Sequence, residues 1–190
     1  MRRALLIGLA ATWLGALATW PAYAVMALAA WSAVARATDR TVTRLVVRRY
    51  AHGRRPSDVP WAVILSPLHL LIGAIATVVS MILPALVGLA GVFAAALLLS
   101  GSSGTEVRPG APITVLVGGI LALLMLWTGP GGASLRRGSR SIVRRVVPDG
   151  PPSEVLAVVL TVVGIALAYM AISGSSSVSW APLSGNPFGS

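Results

Sequence analysis

Four apolar stretches alternate with two arginine-rich ones along this chain. Residues 4–35 hold thirty-two positions without a charge and residues 68–99 thirty-two more; shorter uncharged blocks follow at 113–127 and 155–172. A helix needs about 20 apolar residues to cross the hydrocarbon core of a bilayer. The fourth block has the length of one crossing, and the third is short for one. The first is too long for one straight helix and short for two, and Pro21 lies near its middle. It predicts a tight hairpin turning at Trp20-Pro21, which keeps Arg2 and Arg3 beside the other arginines, or else one kinked, tilted helix. Residues 68–99 also carry a central proline, Pro84, and read as one long, kinked crossing. Ala22-Tyr23-Ala24 would suit a cleavable leader, but the apolar run continues unbroken to Ala35, which favours a retained helix.

The polar segments fix the expected orientation. Residues 36–58 contain seven arginines against Asp39 and Asp58, and residues 129–153 contain five. Arg36, Arg40, Arg44 and Arg48 recur every four residues, as do Arg136, Arg140 and Arg144 with Arg137 beside them, so each set falls along one stripe of a helix. Two amphipathic helices on the cytoplasmic membrane surface are expected; for residues 36–58 the alternative is a solvated continuation of the preceding helix. The positive-inside rule places both segments in the cytoplasm, with an even number of crossings between them. The tail, 174–190, has no charge and is rich in Ser, Gly and Pro. It is expected to be disordered and outside. Residues 1–173 then form one membrane-embedded domain.

Composition agrees with this pattern. Of 190 residues, 56% are hydrophobic and only 11% charged, and the mean hydropathy is +0.84. Soluble domains carry about a quarter charged residues. The formal net charge is +10 with no lysine. The arginines flank membrane-length apolar runs and no basic groove is interleaved with aromatics, which argues against nucleic acid. The chain has no cysteine, which removes disulfides and thiolate chemistry.

Candidate chemistry is sparse. Every Asp and Glu lies outside the apolar runs, and His69 is the one side chain within them whose ordinary titration falls near neutral pH. It reads as an interfacial histidine bonded to a carbonyl freed by Pro67, or as a proton-responsive site lacking an acid partner. His52 and His69 do not make a metal site, and no catalytic arrangement is apparent. Gly129-Pro130-Gly131-Gly132 precedes an arginine helix. It reads either as a flexible break that lets the chain turn along a membrane or as an anion nest suited to a lipid headgroup. Arg54-Arg55-Pro56-Ser57 and Arg136-Arg137-Gly138-Ser139 match a basophilic kinase site. Small residues four apart, Ala11/Gly15, Gly88/Val92 beside Gly91, Gly118/Ala122 and Gly164/Ala168, would let helices approach closely.

Two stretches carry a resemblance: Arg54-Arg55-Pro56-Ser57-Asp58-Val59-Pro60 before a long apolar block, and Trp127-Thr-Gly-Pro-Gly-Gly-Ala-Ser-Leu-Arg-Arg-Gly-Ser-Arg. Their ordering resembles that of uncharacterised actinobacterial multi-pass integral membrane proteins. It is also similar to membrane regions of chains labelled serine/threonine kinases, although no kinase motif is present here. The expectation is an all-α polytopic transmembrane bundle with proline-kinked long helices, in the inner (plasma) membrane. Its expected role is that of a non-enzymatic scaffold or accessory protein without cofactor or metal. Arg36, Arg40, Arg44, Arg48, Arg136, Arg137, Arg140 and Arg144 would contact anionic lipid, a protein partner or a second copy. The alternative is a small transporter or channel subunit.

Overall fold

A computed structural model describes residues 2–52, 66–147, 150–174 and 178–188; for Arg2, Arg48, Arg49, Ala51, His52, Ser66 and His69 it describes the backbone alone. The described residues form six helices and no strand: α1 (Arg2–Thr19), α2 (Pro21–His52), α3 (Ser66–Ser103), α4 (Pro112–Thr128), α5 (Gly132–Val146) and α6 (Pro151–Ile172). The all-helical reading holds. α6 and the Leu70–Ser103 part of α3 are each long and apolar enough to cross a membrane.

The first apolar block is two helices. Pro21 opens α2, where its fixed φ suits a first helical turn and its missing N–H is not needed. Near the break, the Trp13 indole N–H donates to the Ala24 carbonyl at 2.6 Å. Eleven residues of straight helix would separate those two by about 16 Å, so the chain has doubled back. Contacts at the other end agree. Leu5 packs with Val143 of α5, and Ala35 packs with Leu135 and Ile142 of the same helix. A straight helix would hold Leu5 and Ala35 about 45 Å apart, twice the length of α5. The hairpin is therefore the form adopted, with its turn at Trp20.

The second block remains one helix of 38 residues with Pro84 inside it. α3 packs along α2 at one end, where Gly73 meets Ala33 and Ala37, and along α4 further on, where Gly88 and Gly91 meet Gly118, Leu121 and Ala122. α1 packs on α6, where Gly8 lies on Ala157 and Gly15 on Gly164. The Thr12 hydroxyl donates across that seam to the Leu160 carbonyl at 2.7 Å. The small-residue pairs thus mark two real seams, Ala11/Gly15 against Gly164 and Gly88/Gly91/Val92 against Gly118/Ala122. A Cβ added at Gly118 or Gly164 would collide with the facing backbone, so these helices pack at glycine distance.

The two polar segments differ in form. α5 is a separate helix turned 91° from α4. The break uses Gly129 to Gly131, the last with φ +78°, a left-handed conformation that L side chains rarely adopt. Leu135, Gly138, Ser139 and Val143 face inward, and Arg140, Arg144 and Arg145 are exposed. This is the amphipathic helix the sequence predicts. Residues 36–52, by contrast, are the continuation of α2; no separate surface helix forms there. The backbone groups of a helix end need partners that an unbroken helix supplies internally, and nothing between Ala35 and Arg40 stops the helix.

The tail departs from expectation. Residues 178–188 sit against the far end of the bundle. The Ser179 amide donates to the Thr19 carbonyl at 2.8 Å, Trp180 joins Leu17, Ala24 and Val115, and Phe188 packs edge-on to Phe93 and Trp180. The low charge that suggested disorder hides two aromatic rings, and these find an apolar seat at the Trp20 turn.

Candidate functional site

The described arginines, Arg108 apart, gather at one end of this fold. Arg3, near the start of α1, the arginine-bearing part of α2 and all of α5 lie there, opposite the Trp20 turn. Arg108, in the 104–111 loop, lies at the turn end. Within the arginine end the two rows are treated differently.

On α2, Arg36 is only 3% exposed. Its Nη1 donates to the Ala76 carbonyl of α3 at 2.8 Å and to the Ser80 hydroxyl. Its Nε and Nη2, and Nη1 of Arg40, are buried and have no protein acceptor. Arg44 is exposed. The row is therefore graded from inside to outside along the helix. Sequence spacing placed Arg36 on a solvated stripe; the docking of α3 through Gly73 covers it. α3 also offers something to bond. Pro84 has no N–H, so the carbonyl of Ser80 loses its helical donor, and Arg36 brings donors to that turn.

On α5 the row stays outside. Arg136 donates to the Trp127 carbonyl, closing the end of α4. Arg137 makes a two-point ion pair with Asp39 of α2, at 3.0 and 3.1 Å. The Asp39 hydrogen bonds, and then its charge, raise the Arg137 pKa above the ordinary guanidinium value. Asp39 is thereby already engaged by Arg137.

Between these rows lies a cavity of about 490 Å³ lined by Arg36, Arg40 and Ser80 on one side and Pro130, Gly131 and Ser134 on another, with Val79, Leu83, Pro84 and Met125 as its apolar wall. A Cβ built on Gly131 would stand 3.9 Å from Arg36 Nη2. The Gly129–Gly132 break, set out above as a flexible turn or an anion nest, is thus brought against two arginines of the other segment. Guanidinium groups donate and never accept, so the polar side of this cavity offers hydrogen-bond donors at fixed positions, and its chemical complement is an anion.

The kinase-site reading of Ser139 is overturned. Ser139 is fully buried, and its hydroxyl accepts the Trp31 indole N–H at 3.1 Å. Gly138 beside it lies on the Ala35 carbonyl. Arg54 to Pro60, including the Ser57 motif, lie outside the described residues, as do the side chains of Arg48, His52 and His69. Among the described residues no three His, Cys, Asp or Glu side chains come together as a metal site. The cavity was not visible to sequence reasoning. Its parts were marked separately, by the glycine-proline break and by the Arg36/Arg40 spacing, but nothing in the sequence joined segments about 95 positions apart.

No family model, curated protein or solved structure matches this chain.

Proposed function

We propose that this is a multi-pass protein of the plasma membrane, a non-enzymatic scaffold or accessory subunit whose arginine end faces the cytoplasm and anionic lipid. The observation that carries the reading is the division of its surface. α6 turns Val155, Val158, Val162, Ile165 and Tyr169 outward, and α3 exposes Val78, Ile82 and Leu97. An apolar surface of this extent around a bundle calls for a lipid environment, and the described arginines other than Arg108 are collected at one end of it. Five crossings by α1, α2, α3, α4 and α6 put the start of α1 and the arginine end inside and the tail outside, which satisfies the positive-inside rule.

Single-cysteine labelling tests the arrangement, since the chain has no cysteine of its own. In intact cells an impermeant maleimide should label Ser102→Cys, and Arg145→Cys only after permeabilisation. Labelling of both positions from the same side of the membrane would defeat the five-crossing topology. Co-purification from native membranes tests the scaffold role, and a stoichiometric partner is expected. The second reading, a small transporter or channel subunit, rests on the buried charge of Arg36 within the helical bundle, a feature of substrate and ion paths. Solute flux in proteoliposomes that exceeds protein-free vesicles would favour it over the scaffold.

A further inference from the structure

We infer that the cavity between α2, α3 and the start of α5 is a binding site for one phosphate group, held by Arg36 and Arg40 against the Gly131 turn. The inference deepens the proposed membrane reading, on which its lipid form rests.

Four observations converge on the site. Arg36 is buried, and two of its nitrogens have no protein acceptor. A buried cation with unmet donors is costly unless something compensates it. Arg40, one helical turn away, adds a second buried nitrogen without a protein acceptor on the same cavity. The nearest carboxylate described, Asp39, is held by both of its oxygens on Arg137. Among the described residues the local balance is therefore two positive charges without a counter-charge. The start of α5, a helix of 15 residues, opens onto the same space at Gly131 and Ser134, where the helix dipole favours negative charge.

The chemistry selects phosphate over simpler anions. A guanidinium presents a planar fork that fits two oxygens of one phosphate. Phosphate has oxygens enough for Arg36 and Arg40 together and for a further donor at the start of α5, whereas a carboxylate has two. A cavity of about 490 Å³ is far larger than a halide needs. Its lining also includes the apolar side chains of Val79, Leu83 and Met125, and Val79 and Leu83 are exposed on the surface of α3 as well. That suits a phosphate that arrives with an apolar substituent. A lipid headgroup and free phosphate share this chemistry, and the test separates the two.

The test uses the full chain in a neutral detergent, with bound molecules counted by native mass spectrometry and the thermal midpoint read in parallel. Phosphatidic acid, inorganic phosphate and a fatty acid of matching chain length are the probes. Saturable binding of one phosphatidic acid per chain is expected, weakened about tenfold by Arg36→Gln or Arg40→Gln, the loss of charge-assisted hydrogen bonds. Arg140→Gln with Arg144→Gln should leave it unchanged. If Arg36→Gln does not fold, Arg40→Gln and Gly131→Ala carry the decision, both expected to weaken binding. Phosphate alone raising the midpoint, with the same dependence on Arg36 and Arg40, would support the site and assign it to a free anion. Equal binding of the fatty acid would overturn the phosphate assignment. Equal loss from the α5 pair and from Arg36 would overturn the site, as would the absence of saturable binding for every probe. If labelling shows the five-crossing topology while binding fails, only the site falls. If the topology fails while phosphate still binds, the site stands and the membrane reading falls.

Discussion

The two arginine rows have the same spacing and opposite surroundings. Arg36, Arg40 and Arg44 run from buried to exposed along α2, whereas Arg136, Arg140 and Arg144 stay toward the outer side of α5. A spacing of four places residues on one face of a helix, but it does not say which face a neighbour will cover. α5 turns its Leu135, Gly138 and Val143 side to the bundle, leaving arginine outside. α2 has α5 on one side and α3 on another, so part of its arginine row is enclosed. Charge patterning read as a solvated stripe is safe only for a helix with one packed face.

The sharpest way to break this comparison is to lift α5 from α2. A Cβ at Gly138 would collide with the Ala35 backbone, so Gly138→Val should cost about 3 kcal/mol, the upper range for overpacking, read as a lowered thermal midpoint in detergent. An unchanged midpoint would mean that α5 is not seated as described, and the contrast between the rows would lose its basis.

Arg36 separates charge from volume. Arg36→Ala removes a buried stem and should cost about 2 kcal/mol. Arg36→Met keeps the volume and removes the unmet donors, and without added phosphate it should stay within about 1 kcal/mol of the parent. Destabilisation by Met as severe as by Ala would show that the charge itself is satisfied within the protein. Next in size is Trp31→Phe, which deletes the indole bond to Ser139. About 1 kcal/mol is expected, the ordinary net worth of one hydrogen bond, and no change would mean that the bond does not secure α5.

The outer row should matter to lipid and hardly to stability. Replacing Arg140 and Arg144 by Gln should leave the midpoint within about 0.5 kcal/mol. In mixed bilayers each loss should reduce the preference of boundary lipid for anionic over zwitterionic headgroups by about fivefold, since one arginine near an anionic leaflet is worth about 1 kcal/mol. Spin-labelled lipids report that preference directly, and an unaltered preference would remove α5 from the lipid contact. The smallest effect expected is none: a basophilic kinase should leave Ser139 of the folded chain unmodified, because its hydroxyl is enclosed between α5 and Trp31. Phosphorylation there would mean that α5 leaves α2 on the timescale of the assay.

Much of this architecture was readable from the sequence, because it depends on local properties. The apolar lengths of residues 155–172 and 68–99 give α6 and α3, since burial against lipid or protein requires runs of that length. Gly129 to Gly132 gives the turn before α5, since Gly131 adopts a positive φ. The amphipathicity of α5 and the small-residue seams were likewise visible. What the sequence left open depends on contacts between distant residues. Pro21 and Pro84 stand alike in two uncharged blocks of equal length, yet one opens a new helix and the other lies within a continuous one. A proline removes one N–H wherever it stands; whether the chain folds back there depends on partners. At Pro21 the fold has Trp13 to bond the Ala24 carbonyl and α5 to receive both Leu5 and Ala35 at the base of the hairpin. The tail and Arg36 follow the same rule. Composition made one look disordered and the other solvated, and only the tertiary packing gave Phe188 rings to pack against and Arg36 a place to be buried.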